Sequence, residues 1–308
     1  MIELHPLSNV ARTQLVAQGL DPDEVIDIIH RALVEDLGDR GDVTSAATID
    51  AGHRSHARYV ARVAGRVAGV CVVRAVLEMV VGAERMSFEV DVSDGSPVKT
   101  GGTIMSVTAP TRELLTAERT SLNLLGHLCG IATLTAQWVD AVSGTGAVIR
   151  DTRKTTPGLR ALEKFAVRCG GGQNHRLGLS DAALIKDNHV VGAGSVTAAV
   201  NRVRRFDPEI VVEVEVDTLD QLHEALRAGA DLILLDNMDV ATTHAAVAVA
   251  AAHRRDLGRD VLLESSGGLN LAVAAAVAAT GVSFLSIGAL THSAPTLDIG
   301  LDVDVAPT

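Results

Sequence analysis

Between Arg150 and Lys186 the chain sets eight Lys/Arg against three acids, Asp151, Glu163 and Asp181, although the 308-residue whole carries a net charge of −11. A cationic island in an acidic chain fits a small, multiply anionic ligand held at a fixed point. Thr152, Arg153 and Lys154 follow one short apolar run, and Lys186 closes another, ALIKDNH. Arg offers a planar two-pronged donor and Lys a compact point charge, a pair suited to carboxylate or phosphate. Between them, Gly170-Gly171-Gly172 leads into Gln173-Asn174-His175-Arg176. The glycines let backbone pass close to a ligand, and His175 and Arg176 add donors. Lys186 has two readings: it binds an anion, or it is a desolvated amine for Schiff-base chemistry.

Carboxylates accompany these cations. Glu213 and Glu215 share one face of VVEVEV, because side chains alternate along a strand, and Asp236 ends LILLDN. Hard oxygen donors of this kind suit Mg²⁺, which keeps several waters and takes one or two carboxylates plus substrate phosphates. Internal pairing with Arg153 or Lys186 is the competing use of the same groups. Glu264-Ser265-Ser266-Gly267-Gly268 and Ser286-Ile287-Gly288-Ala289 close the last two apolar runs, with His292 just beyond. Small residues ahead of a helix start expose backbone N–H groups to a phosphate.

The elements that must position these groups are legible as a rhythm. AVIRDTRK, AALIKDN, IVVEVEV, LILLDN, VLLESSGG and FLSIGA are apolar runs with polar ends, separated mostly by Ala/Leu/Arg-rich helical patterns. That is the βα repeat of a parallel sheet buried on both faces. Polar chemistry at every strand's C-terminal end points to a β/α barrel rather than to an open sheet with one switch point. Ahead of the barrel, the pattern predicts an amphipathic helix over 22–37, short strands and a helix from Arg74 to Val81 between 55 and 110, and a long helix from Thr111 to Val142. Gly126 and Gly130 weaken the middle of that long helix by about 1 kcal/mol each relative to Ala. The region before it reads as a small α/β sandwich.

Bulk composition excludes several classes. The net charge of −11 and 2% aromatic content argue against a nucleic-acid-binding face. Three well-separated cysteines, Cys71, Cys129 and Cys169, form neither a disulfide framework nor a zinc pattern. No apolar run reaches membrane-spanning length and the N-terminus has no signal-like layout, so a cytoplasmic protein is expected.

In order along the chain stand EDLGDRGDVTS, AERTSLNLLGHLCGIAT, the whole stretch DTRKTTPGLRALEKFAVRCGGGQNHRLGLSDAALIKDNH, then EVEV, LILLDN, LESSGG and GALTHS. With these motifs the chain resembles the quinolinate phosphoribosyltransferases over nearly its full length. The resemblance implies a type II phosphoribosyltransferase-like fold: an N-terminal α/β sandwich over 1–121, rejoined by the tail 293–308, and an incomplete β/α barrel over 122–292. It implies transfer of phosphoribosyl from 5-phosphoribosyl 1-pyrophosphate to quinolinate, releasing pyrophosphate and CO₂ and leaving nicotinate mononucleotide, in NAD biosynthesis.

It also implies roles. Arg119, Arg153, His175, Arg176 and Lys186 cradle the two carboxylates of quinolinate, and Arg119 is lent to a neighbouring subunit in a dimer or an assembly of dimers. Lys154 neutralises phosphate charge, and Thr152 is a further substrate-binding residue. Ser266, Gly267, Gly268, Ile287, Gly288, Ala289 and His292 hold the 5-phosphate. Glu215 and Asp236 carry Mg²⁺, and Lys154, Lys186, Glu215 and Asp236 do the chemistry. Three other readings compete: a sister phosphoribosyltransferase using nicotinate or linked to molybdenum transport, a Schiff-base aldolase built on Lys186, and a non-catalytic sugar-phosphate-binding barrel.

Overall fold

The computed structural model describes residues 4–305; residues 1–3 and 306–308, which belong to the expected first domain and its returning tail, lie outside the described residues. The chain opens with α1 (Asn9–Ala17), α2 (Pro22–Leu37) and α3 (Val43–Thr48). Helix α2 has the bounds its apolar spacing predicts, because both ends carry stop signals. Asp21 accepts the N–H of Asp23 at 2.9 Å, Pro22 occupies the first turn, and Gly38 follows with φ 50°.

Next come β1 (Arg54–Ala61), β2 (Gly65–Arg66), α4 (Val70–Val81), β3 (Ser87–Val90), β4 (Pro97–Val98) and β5 (Thr103–Pro110). Helix α4 begins at Val70, one turn before the sequence pattern suggests. Its start lacks a local capping side chain. Asp94 supplies the cap from a distant turn, accepting the N–H groups of Gly69 at 2.7 Å and Val70 at 3.0 Å. Every α4 residue except Arg74 is buried, and the helix packs against α1, α2 and β5. The one acid inside it, Glu78, is fully buried and satisfied by Arg74 at 2.9 Å and by the backbone and hydroxyl of Ser8.

The long helix α5 (Thr111–Ala141) follows, then β6 (Val148–Arg150), α6 (Arg160–Cys169), β7 (Ala183–Ile185), α7 (Asp187–Ala193), α8 (Val196–Phe206), β8 (Val212–Val216), α9 (Leu219–Ala228), β9 (Leu232–Asp236), α10 (Val240–Leu257), β10 (Leu262–Ser266), α11 (Leu271–Ala278), β11 (Phe284–Ser286), α12 (Ala289–His292) and β12 (Ile299–Val305). Strand β12 pairs antiparallel with β1, completing a four-stranded sheet in the order β12-β1-β5-β3. The returning tail thus belongs to the first sheet.

Strands β6 to β11 form a parallel sheet in the order β6-β11-β10-β9-β8-β7. The first strand lies beside the last, as a wall that curls round requires, and β6–β7 is the pairing it lacks. An isolated parallel bridge between Arg150 and Gln173 occupies part of β6's other edge, through Gln173 N to Ile149 O at 2.8 Å and Asp151 N to Gln173 O at 3.2 Å. This is an incomplete β/α barrel.

By compactness the chain divides differently from the 121/122 boundary read in the sequence. One unit holds the described residues up to Ala136, Thr155–Gly171 and the chain from Ser293 onward; the other holds Gln137–Lys154 and Gly172–His292. Helix α5 is continuous through residue 121, so no break exists there for a boundary to occupy.

The two helix-weakening glycines have a packing reason. A Cβ on Gly130 would lie 2.1 Å from Pro295 O, and one on Gly126 would lie 2.9 Å from Thr296 and 3.0 Å from Leu297 O. The tail crosses α5 at these positions, and Leu297 donates its N–H to Gly126 O at 3.0 Å. The three cysteines are free thiols. Among the described residues no helix is long and apolar enough to cross a membrane.

Candidate active site

Strand register sets the floor of the site. Cα partners run Glu215↔Leu234↔Glu264 in one row and Asp236↔Ser266↔Ser286↔Arg150 in the next. Because alternate side chains share a face, each row presents one layer to the barrel interior. A cavity of about 330 Å³ opens above them. It is lined by Thr152, Arg153, Lys154, His175, Arg176, Lys186, Glu215, Asp236 and Ser266, all expected, together with Leu184, Leu234, Glu264 and Ser286. Every one of these lies in the second unit.

The cations arrive from different strand ends. Arg153 and Lys154 follow β6, Arg176 follows the Gln173 bridge, and Lys186 follows β7. Burial, and then the neighbouring Arg153 guanidinium, pull Arg176 below the ordinary arginine range, while Glu213 and Asp181 oppose this. Two guanidiniums that disfavour each other's charge form a site that gains when an anion enters. Arg176 is aimed by Nη1, which donates to Ala182 O at 2.9 Å.

Lys186 is ion-paired with Glu215 Oε2, and its side chain is 46% exposed. Schiff-base chemistry would need this amine desolvated, and its exposure supplies no such environment. Asp236 accepts from Asn237 Nδ2 at 2.7 Å. Glu215 and Asp236 are half-buried oxygen donors on the cavity wall, a donor set that fits Mg²⁺ with retained waters.

The glycine loops were expected to sit close to ligand. Gly288 stands against Lys154 and His292: a Cβ there would lie 3.1 Å from Lys154 Cδ and 3.2 Å from His292 Nε2. Thr291 Oγ1 donates to Lys154 O at 2.8 Å and ties the two loops together. Gly267 has φ 85° and would drive a Cβ to 2.3 Å from Asn237 Oδ1. Gly267, Gly268, Ile287, Gly288, Ala289 and His292 thus follow the strand ends without lining the cavity itself. Arg119 lies exposed on α5 in the first unit and is not a lining residue.

The cavity wall continues at His175 and Glu264 into a buried polar layer whose contacts the sequence does not show. Asp151, fully buried, accepts the N–H of His175 at 2.8 Å and Asn174 Nδ2 at 2.6 Å. His175 Nδ1 accepts the N–H of Arg176 at 2.7 Å, and its Nε2 lies 2.9 Å from Glu213 Oε2 and 3.5 Å from Glu264 Oε1. Glu264 also accepts from Arg150 at 2.8 Å and from Ser286 Oγ. Burial and the Glu213 carboxylate push Glu264 up, against His175, Ser286 and Arg150. Arg150 lies over the Phe284 ring at 4.2 Å. The signal for this layer in the sequence is the two-residue step from Glu213 to Glu215, which puts both carboxylates on one face of β8.

Comparison with known proteins finds similarity along most of the chain. Residues 42–129 match the family model described as quinolinate phosphoribosyl transferase, N-terminal domain, and residues 131–302 match the corresponding C-terminal domain. The chain is 54% identical over 282 residues to a nicotinate-nucleotide pyrophosphorylase (carboxylating) of Mycobacterium leprae, covering 91% of this chain and 98% of that one. It is 39% identical over 290 residues to a quinolinate phosphoribosyltransferase (decarboxylating) of Nicotiana tabacum, covering 90% and 81%. A crystal structure of nicotinate-nucleotide pyrophosphorylase from Ehrlichia chaffeensis superposes with a TM-score of 0.85 at 39% identity, covering 91% and 98%.

Proposed function

The chain belongs to the quinolinate phosphoribosyltransferase family, and from that premise we propose how its cavity residues divide the work. The enzyme is a pentosyltransferase. It transfers phosphoribosyl from 5-phosphoribosyl 1-pyrophosphate to quinolinate with loss of CO₂, giving nicotinate mononucleotide and pyrophosphate for NAD biosynthesis.

One observation carries the assignment of residues: four cationic side chains, Arg153, Lys154, Arg176 and Lys186, meet in one cavity with Glu215 and Asp236 on its wall. Quinolinate brings two carboxylates. Arg153, Arg176 and Lys186 take them, with His175 against the ring. A monocarboxylate such as nicotinate would leave part of this charge unanswered, which favours the dicarboxylate over a nicotinate-using sister enzyme. Lys154 and Thr152 meet the donor's phosphates, and the loops Ser266–Gly268 and Ile287–Ala289, with His292, receive the 5-phosphate through backbone N–H groups.

Glu215 and Asp236 face the ribose. As the bond from the anomeric carbon to pyrophosphate breaks, positive charge grows on that carbon, and two fixed carboxylates lower its energy. The ring nitrogen's electron pair then forms the new bond. The resulting pyridinium adjoins the 2-carboxylate, and its positive charge stabilises the electron pair left on the ring carbon when CO₂ departs; a proton from water then takes up that pair and completes nicotinate mononucleotide. The protein's share is placement and charge. Mg²⁺ held at Glu215 and Asp236 would neutralise the leaving pyrophosphate.

Arg119 is exposed on α5, and this supports its donation to the site of a second copy in a homodimer or an assembly of dimers. The reading places the enzyme in the cytoplasm. A coupled assay with quinolinate, 5-phosphoribosyl 1-pyrophosphate and Mg²⁺ tests the whole: CO₂ and mononucleotide should appear in equal amounts. Product from nicotinate without CO₂ would reassign the substrate.

A further inference from the structure

Glu213 is a carboxylate that the fold has no structural need for. It is 2% exposed, flanked along β8 by Val212 and Val214, and its Oε1 has no hydrogen-bond partner among the described residues. Burying a carboxylate is costly, and an apolar residue of similar size would serve the barrel wall at least as well. Its other oxygen, Oε2, lies 2.9 Å from His175 Nε2.

That contact has a definite protonation pattern. His175 Nδ1 accepts the Arg176 N–H at 2.7 Å, so this nitrogen carries no proton and Nε2 is the one that does. Nε2 stands in ion-pair range of two carboxylates, 2.9 Å from Glu213 Oε2 and 3.5 Å from Glu264 Oε1. The Arg176 N–H fixes the tautomer of His175. Glu213 holds the ring in place from the other side, and so steadies the backbone from which the Arg176 side chain leaves. Asp151 holds the same segment from the other side, at the N–H of His175.

We propose that Glu213, which does not line the cavity, is a positioning residue for quinolinate. It acts through His175 to aim Arg176, and it leaves the phosphoribosyl end untouched. The proposal rests on the reading of Arg176 as a carboxylate-binding residue. It also revises His175, whose two ring nitrogens are engaged by the protein and whose ring, rather than a cationic N–H, is what substrate meets.

Steady-state kinetics of Glu213→Leu and Glu213→Gln test this, with Arg176→Ala alongside. Glu213→Leu should raise the KM for quinolinate about tenfold or more, as expected when a binding group is misplaced. The KM for the ribosyl donor should stay within about twofold, since that end is not touched. Thermal stability should change little, because the loss of a buried charge offsets the contact that His175 loses. Glu213→Gln keeps a polar oxygen of the same reach beside His175 Nε2 and should recover most of the quinolinate affinity. Histidine ¹⁵N shifts, assigned with His175→Gln, should show Nε2 protonated and Nδ1 bare in the wild type and in Glu213→Gln.

Equal loss for both substrates with lowered stability would overturn the proposal by showing a merely structural role. So would unchanged quinolinate KM in Glu213→Leu while Arg176→Ala is impaired, or a stoichiometric metal ion bound by His175, Glu213 and Glu264. Normal quinolinate kinetics in Arg176→Ala would sink the underlying site reading and this proposal with it.

Discussion

Lys186 and Glu215 neutralise each other across the ends of β7 and β8, although the reaction asks each for a different partner. On the proposed reading, Lys186 turns to a carboxylate of the pyridine and Glu215 to the ribose. The pair stores charge that substrate redistributes. The Lys186 side chain is 46% exposed, so solvent screening holds the pair's stability contribution to about 1 kcal/mol or less. Lys186→Met should therefore leave the melting temperature nearly unchanged. It should lower kcat/KM for quinolinate by about a hundredfold, the scale of one lost charge contact in a preorganised site. Parallel melting and kinetic measurements separate the two effects.

Arg153 is the sharper case. It follows β6 at the cavity, close enough to Arg176 to disfavour that residue's charge. Truncating one partner of a desolvated charge pair typically costs about 2–5 kcal/mol. Arg153→Ala should therefore cut kcat/KM for quinolinate by between roughly thirty- and several-thousand-fold, since each 1.4 kcal/mol is a factor of about ten. Near-normal saturation with quinolinate would show that Arg153 has the wrong role.

How much of this was legible in the sequence depended on whether the cause was local. Helix α2 carries its own caps, so its bounds could be read to the residue. Helix α4 borrows its cap from Asp94, some two dozen positions downstream, and its first turn was missed. The strand ends were legible because period-two alternation fixes which side chains share a face. The buried layer that continues from the cavity wall was not. Asp151 follows β6 while Glu213 and Glu264 lie in β8 and β10, and only the strand register brings the latter two carboxylates to one histidine. The chemistry of the open site was thus readable residue by residue, while its support needed the third dimension.

Asp181 makes the loop that follows Arg176 acid-sensitive. Its carboxylate accepts the N–H groups of Leu177 at 2.6 Å and Gly178 at 3.0 Å. Slight burial pushes it up, but these backbone donors and Arg176 outweigh that and hold it below the usual aspartate range. A carboxylate depressed in the folded state stabilises above its unfolded value of about 3.9, and that contribution is lost as pH falls through the lower folded value. The loop should accordingly hold at a pH above that unfolded value and loosen at one well below it. Pepsin should then cut near the exposed Leu177 and Leu179 while the emission of Trp138, the chain's single tryptophan, still reports a folded barrel. Asp181→Asn should be cut at both pH values. Resistance of the wild-type loop at the lower pH would show that other contacts hold it.

Gly130 offers a test in which two physical effects predict opposite signs. On helix propensity alone, Gly→Ala in the middle of α5 should stabilise by about 1 kcal/mol. The structure opposes it: the new methyl would sit 2.1 Å from Pro295 O, a backbone atom that a side-chain rotation cannot move. The tail would have to lift from α5, and Leu297 N–H would be drawn from Gly126 O. Overpacking of this kind costs about 1–3 kcal/mol or more, so steric exclusion should win and Gly130→Ala should melt lower than the wild type. The loss should appear as faster hydrogen exchange in β12, which the tail delivers to β1, before any change at the cavity. A higher melting temperature would mean that the tail is not held against α5 at this glycine.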